Sequence, residues 1–128
     1  MSLQDLLEKS DNNIKTVEYA EENKFYDVAI SRYYYAIFQK IIYISKKNGF
    51  YSKPKQGGDS HNFTIANFTK NMVNIVKNEE ITVLSSIMKL KSLRIRADYE
   101  EECIKDRNSY SLNKCSFNMV NEVLNKYI

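Results

Sequence analysis

The hydrophobic pattern of the chain centres on one long segment. From Lys24 to Asn48 there is no glycine or proline, and apolar residues cover most of the helical circumference instead of a single stripe. A helix that is apolar on most of its sides is normally enclosed by other elements. We therefore predict that this segment is the central helix of an all-α domain.

An amphipathic helix is predicted before the central one. It extends from about Ser2 to Glu22, and Ser2 with Asp5 makes a capping-box-like start. Its apolar residues keep to one stripe, which is typical of a peripheral helix. A short turn at Asn23 and Lys24 then makes it an antiparallel neighbour of the central helix.

Three more helices are expected in the second half of the chain. One follows a cap at Asp59 or Ser60, and the next spans about residues 79–97. An irregular connection is expected over 105–110, and the last helix over about 112–127. Its core face is predicted to comprise Cys115, Met119, Val123 and Tyr127. The predicted fold is an antiparallel bundle of about five helices in a single domain, residues 1–128.

Composition and charge agree with a helical domain and exclude few functions. Only three glycines and one proline occur in 128 residues, which favours long helices over a turn-rich sheet. The formal net charge of +3 permits contact with nucleic acid. It falls short of the strongly basic balance that would by itself indicate a nucleic-acid-binding domain.

Two isolated cysteines, Cys103 and Cys115, do not form a metal motif. They lack CxxC spacing and a nearby histidine, so we expect no metal and no cofactor.

Unpaired thiols fit a reducing cytoplasm, and we expect no signal peptide. Gln39 and Lys40 interrupt the longest apolar run, so no membrane span is expected. The sequence thus predicts a cytoplasmic protein.

Arg32 is the one charge in the middle of the central segment, and its neighbours on the same helical face are two alanines. A buried guanidinium needs a carboxylate partner, and Asp98 is the best candidate. One interpretation is a structural ion pair whose removal is clearly destabilising. The other is a polar cluster of Arg32, Arg94, Asp98 and Tyr99 that faces a groove.

The only long loop, residues 50–59, leads to the only histidine. Lys53 and Lys55 lie in this loop, close to two lysines that end the central helix, so the loop is either a phosphate-binding segment or a solvated connection. His61 follows it at the start of the next helix. There it is either a capping or surface residue, or it is a general acid/base or a phosphate contact.

Three segments resemble the motifs of HEPN-domain proteins, in the same order. Residues 29–38 (AISRYYYAIF) resemble the SRxYYAxFH signature, and residues 93–99 (LRIRADY) resemble the LRxxADY segment. Ser60, His61 and Asn62 resemble the segment between them that contains a histidine. The resemblance implies a helical HEPN bundle, commonly a homodimer. Such proteins act in RNA cleavage, in toxin–antitoxin or phage-defence systems, or beside small nucleotidyltransferases.

The chain departs from the ribonucleolytic members of that family. Those members use an Arg followed shortly by a His near the start of the last helix. Arg107 resembles the first half of this motif, but Leu112, Asn113 and Lys114 stand where the His is expected. Standard HEPN nuclease chemistry is therefore not expected here.

Two functions of different classes follow from these observations. The first is a non-catalytic HEPN-like module that binds RNA, a nucleotide or a partner protein, and the second is a metal-independent ribonuclease with a rearranged site. That site would combine His61 with Arg32 or Arg94 and with Tyr99, because His61 is the only side chain with an ordinary pKa suited to a base at neutral pH. A purely structural helical adaptor is a third interpretation. We expect little or no intrinsic ribonuclease activity.

Overall fold

The computed structural model describes residues 2–128 and shows an all-α bundle, as predicted. Over these residues the chain forms no β-strand, and none of its helices combines the length and the apolar character needed to cross a bilayer. The six helices are α1 (Leu3–Glu22), α2 (Tyr26–Lys47), α3 (Ser60–Met72), α4 (Asn78–Leu84), α5 (Ile87–Tyr99) and α6 (Arg107–Asn125).

Helix α2 is the centre of the bundle, as its apolar pattern predicted. It packs against α1, α3, α5 and α6. Ala29, Ile37, Ile41 and Ile44 on this helix are completely buried. Each fully buried isoleucine contributes about 1.5–3 kcal/mol relative to an exposed one, so α2 supplies much of the energy that holds the other helices in place.

The predicted start of α1 is confirmed in detail. The Ser2 hydroxyl accepts a hydrogen bond from the Asp5 backbone N–H at 3.2 Å, and the Asp5 carboxylate accepts one from the Ser2 N–H at 3.0 Å. At the other end, Lys24 adopts a left-handed backbone conformation with φ of 60°. This conformation closes the tight turn that brings α2 back along α1.

The helix predicted over 79–97 is two helices, and this prediction was wrong. The break falls at Ser85 and Ser86, whose hydroxyls donate to the carbonyl oxygens of Thr82 and Val83 at 2.6 and 2.7 Å. Serine side chains offer the backbone an alternative to helical hydrogen bonding, so two in succession favour an interruption. The change of direction separates the short α4 from α5.

The last helix begins earlier than predicted. The Asp106 carboxylate accepts hydrogen bonds from the backbone N–H groups of Asn108 and Ser109 at 3.1 and 3.2 Å. This cap starts α6 at Arg107, so residues 107–110 are helical instead of irregular. The sequence pattern does not indicate this cap, because the apolar residues that follow it are widely spaced.

The core face predicted for the last helix is wrong at two of its four residues. Cys115 and Met119 are exposed, whereas Val123 is buried as predicted and Tyr127 is half-buried. The residues of α6 that are buried in the core are Tyr110, Phe117, Val120, Val123 and Leu124. Two aromatic rings bury more area than a cysteine and a methionine, so they determine which side of α6 faces α2.

Candidate anion-binding site

His61 is packed against the central helix and is not a surface residue. Asp59 caps α3 by accepting the Asn62 backbone N–H at 3.0 Å, and this places His61 in the first turn. The imidazole ring lies parallel to the ring of Phe38, with 4.1 Å between centroids and an angle of 7°. Its Nδ1 is 2.8 Å from the hydroxyl oxygen of Tyr34.

The Tyr34 hydroxyl determines which nitrogen of His61 carries the proton. Tyr34 is only 1% exposed, and over residues 2–128 its hydroxyl has no hydrogen-bond partner other than His61. Burial raises the pKa of Tyr34 far above its ordinary value, so the hydroxyl keeps its proton. We assign that proton to a hydrogen bond donated to Nδ1, which leaves the neutral imidazole with its own proton on Nε2.

The charge state of His61 agrees with this arrangement. Burial lowers its pKa, and the positive charges of Arg94 and Lys91 lower it further. The ring is therefore neutral at pH 7. In this tautomer Nε2 is a hydrogen-bond donor, which suits a contact to an anion better than the abstraction of a proton.

Arg94 approaches the same group of rings from α5. Its guanidinium carbon is 5.4 Å from the ring centroid of Tyr34 and 5.6 Å from that of Tyr35. Nη1 donates to the Asp98 carboxylate at 3.2 Å, and the buried Nε has no hydrogen-bond partner over residues 2–128. The aromatic faces therefore provide much of the stabilisation of this largely buried cation.

The predicted ion pair between Arg32 and Asp98 is wrong. Arg32 is exposed, with its guanidinium carbon 5.3 Å from the ring centroid of Tyr35, and Asp98 pairs with Arg94 one turn earlier on its own helix. The long arginine side chain reaches solvent from the edge of α2, so no buried charge requires a distant carboxylate. Helix α2 is nevertheless the central helix, because it packs against α1, α3, α5 and α6.

Lys91 ties α5 to the beginning of α3. Its ammonium donates to the Asp59 carboxylate at 2.5 Å and to the side-chain oxygen of Asn62 at 2.6 Å. The hydrogen bond from Lys91 lowers the pKa of Asp59. The sequence had shown Lys91 only as one of several basic residues on its helix, because neither partner is near it along the chain. We name Tyr34, Tyr35, His61, Lys91 and Arg94, with Arg32 at the edge, the His61 cluster.

The structure does not bring the other predicted site residues into this cluster. Tyr99 is 76% exposed at the end of α5, and Lys53 and Lys55 are exposed in the loop between α2 and α3. Over residues 2–128, no hydrogen bond or ion pair connects these three side chains to the cluster. The phosphate-binding interpretation of the loop lysines and the role of Tyr99 remain predictions.

A separate cavity of about 710 Å³ lies at the start of α6. Its basic residues are Lys24, Lys105, Arg107 and Lys114. Lys114 forms an ion pair with Glu21 at 2.5 Å, and the Tyr110 hydroxyl also donates to Glu21 at 2.6 Å. Lys24 and Lys105 were not predicted here, because they come from separate segments that carry no motif.

The described residues include no metal site of the usual kind. Over 2–128, no group of three or more His, Cys, Asp and Glu side chains is arranged to hold a metal ion. Cys103 and Cys115 are both exposed free thiols.

No family model, no curated protein and no solved structure matches this chain. The HEPN resemblance, the homodimer and the partners that it implies therefore remain predictions.

Proposed function

We propose that this chain is a non-catalytic, HEPN-like module that binds RNA through phosphate groups, with the His61 cluster as its anion contact. One observation carries the proposal: Arg32 and Arg94 reach the Tyr35 ring from two different helices, and the neutral His61 packs edge-on to the same ring. Cations and N–H donors at one place are what an RNA phosphate requires.

Arg32 is the group in the cluster best suited to meet a phosphate. It is exposed, and none of the ion pairs of residues 2–128 includes it. Arg94 and Lys91 are each paired with an aspartate, so they add to the local potential and contribute less direct contact. Tyr35 is half-buried and offers a ring on which an unpaired base can stack.

The few cations of the His61 cluster set the strength of the proposed binding. The cluster contains Arg32, Lys91 and Arg94, and the last two are paired with aspartates, so only a few phosphates can be neutralised at once. The affinity should therefore be low and should fall with salt, since each phosphate contact on a single strand adds about 0.7 to the slope of log K against log salt. The toxin–antitoxin or phage-defence setting, the homodimer and a nucleotidyltransferase-like partner are supported by the resemblance alone.

The test compares Arg32→Gln with Arg96→Gln, which removes the same charge from α5. The Arg96 side chain is largely exposed and pairs with Glu100 at 3.2 Å, so it serves as the matched control. Anisotropy of a labelled single-stranded RNA is measured over a salt series. Arg32→Gln should weaken binding and reduce the salt slope by about 0.7, the value of one phosphate contact on a single strand, whereas Arg96→Gln should leave the slope nearly unchanged. Equal effects of the two variants would reject the His61 cluster as the contact.

The rearranged ribonuclease is the second candidate, because the fold does place His61 beside an arginine. The positive charge of Arg94 contributes to the lowered pKa of His61. The Nε2 proton argues against it, since a general base needs an unprotonated nitrogen facing the ribose hydroxyl. Purified protein should leave total RNA intact. Cleavage that disappears in His61→Ala would establish the nuclease, and equal cleavage by both proteins would indicate contamination.

A further inference from the structure

Lys40 carries a buried positive charge that forms no ion pair with a carboxylate of the described chain, although the charge of Asp11 acts on it from a greater distance. The residue is 7% exposed, and none of the ion pairs of residues 2–128 includes it. Its ammonium donates to the side-chain oxygens of Asn121 and Asn125 at 2.6 and 2.9 Å. These two acceptors occupy two of its three N–H groups.

The ammonium is held in a fixed position by the pattern of α6. Asn121 and Asn125 are four residues apart, so they lie on the same side of the helix and form a pair of acceptors that faces α2. A lysine normally extends its charge into water. Here the amide pair retains the charge inside the protein, where burial lowers the pKa of Lys40.

A cavity of about 360 Å³ lies beside Lys40, between α1 and α6. Its lining residues are Gln4, Leu7, Asp11, Lys40, Asn125 and Ile128. Two of them are charged and of opposite sign, and they do not form an ion pair with each other. The others offer two amide groups and two apolar side chains.

We propose that this cavity binds a small zwitterion, a free α-amino acid with an apolar side chain. The ligand carboxylate contacts Lys40, its ammonium contacts Asp11, and its side chain packs against Leu7 and Ile128. A simple anion would be repelled by Asp11 and a simple cation by Lys40, whereas a zwitterion complements both. Ligand sites have volumes of about 300–1,000 Å³, so a cavity at the lower end suits a molecule of this size.

Three probes of nearly the same carbon skeleton test the two charges separately. L-Leucine carries both charges, isocaproate lacks the ammonium, and isoamylamine lacks the carboxylate. A ligand that binds only the folded state raises the unfolding temperature in a saturable way. Leucine should do so, and the half-saturating concentrations of the other two probes should be about tenfold higher or more, because each loses a charge-assisted contact.

Variants of the two charged residues locate the effect. Asp11→Asn, at an exposed position, should weaken the response to leucine and strengthen the response to isocaproate by removing a repulsion. Lys40→Met should abolish the leucine response, whereas Lys70→Met removes an exposed lysine from the last turn of α3 and should retain it. If Lys40→Met does not fold, Asp11→Asn decides the question alone.

Two outcomes would overturn the proposal. One is that leucine gives no saturable shift, or no larger shift than isocaproate and isoamylamine. The other is that Asp11→Asn leaves the relative response to leucine and isocaproate unchanged. Neither outcome depends on RNA binding, so this proposal and the proposed function are tested independently.

Discussion

Lys40 and Lys91 are buried to almost the same extent, with 7% and 8% of their surface exposed, but their partners differ. Lys91 donates to a carboxylate and an amide, and Asp59 at the other end of that ion pair is half-exposed to water. Lys40 donates to two amides only. Equal burial therefore has different costs, because only Lys91 has a carboxylate at ion-pair distance to offset the loss of hydration, whereas Asp11 acts on Lys40 from farther away.

The two lysines also have different structural roles. The ion pair of Lys91 joins α5 to the cap of α3 and so positions His61 and Arg94 in one cluster. The amide pair of Lys40 joins α2 to α6 without neutralising the charge. The Lys91 ion pair is accounted for as a structural connection. The Lys40 ammonium has no such partner, and it is the charge to which we propose that a ligand binds.

Asn121→Leu should have the largest effect on stability. It removes one of the two amide acceptors of the Lys40 ammonium, which forms no ion pair over residues 2–128. Hydrogen bonds to charged groups contribute about 1.5–3 kcal/mol, so the free energy of unfolding in urea should fall by about 2–3 kcal/mol. In a Lys40→Met background the same change should cost much less, because apolar side chains then replace both partners. The same loss in both backgrounds would contradict a role of Asn121 through Lys40.

Asp59→Asn should have a smaller effect, which depends on pH. Asparagine still caps α3, so only the charge of the ion pair is lost. In the wild type the pKa of Asp59 lies below its ordinary 3.8, because Lys91 donates to it. The stability that this carboxylate contributes is therefore present above pH 3.8 and lost as the pH falls through the lowered pKa. Urea unfolding at pH 7 and in acid should show less acid destabilisation in the variant, and an unchanged profile would contradict the ion pair.

Arg32→Ala gives the baseline for an exposed cation. Substitutions at exposed positions usually change the free energy of unfolding by less than about 0.5 kcal/mol, and we expect that here. The buried pair predicted from the sequence would instead have cost on the order of 3 kcal/mol. Thermal or urea unfolding distinguishes the two values. A large loss in the free energy of unfolding would support the buried ion pair instead.

The smallest change to be measured is a shift in the pKa of His61. Lys91 lowers the pKa of His61, so Lys91→Met should move that pKa back towards 6.5, whereas Lys40→Met should leave it unchanged. The chain has one histidine, so its ring signals in a proton NMR titration are unambiguous. No movement with Lys91→Met would contradict the placement of Lys91 beside the ring.

Local rules predicted the parts of the fold that depend on neighbouring residues. The capping box of α1, the Asp59 cap and the enclosed α2 were all read from adjacent or helically spaced side chains. The side of α6 that faces the core was not predicted correctly, because the apolar residues of this helix form two overlapping stripes. Only packing against α2 selects the one with Tyr110 and Phe117.

The geometry of the candidate sites could not be predicted, because it depends on contacts between residues that are far apart in the sequence. His61 and Arg94 were identified as candidates, but the hydrogen bond from Tyr34 that makes His61 a donor joins residues 27 positions apart. Lys40 was read only as an interruption of an apolar run. Its partner Asn121 lies 81 positions away, and an asparagine carries no signal that it will meet a buried charge.

The short turn at Lys24 has a consequence for the order of folding. Helices α1 and α2 are joined by a few residues, so the entropy of closing that loop is small and their hairpin can form early. The His61 cluster needs α5 to meet α3, with contacts 32 positions apart, and such contacts form later. Pulse-labelling hydrogen exchange during refolding should protect the amides of α1 and α2 before those of α3 and α5. A chain that has regained its α1–α2 hairpin would then still lack the cluster that we propose as the RNA contact.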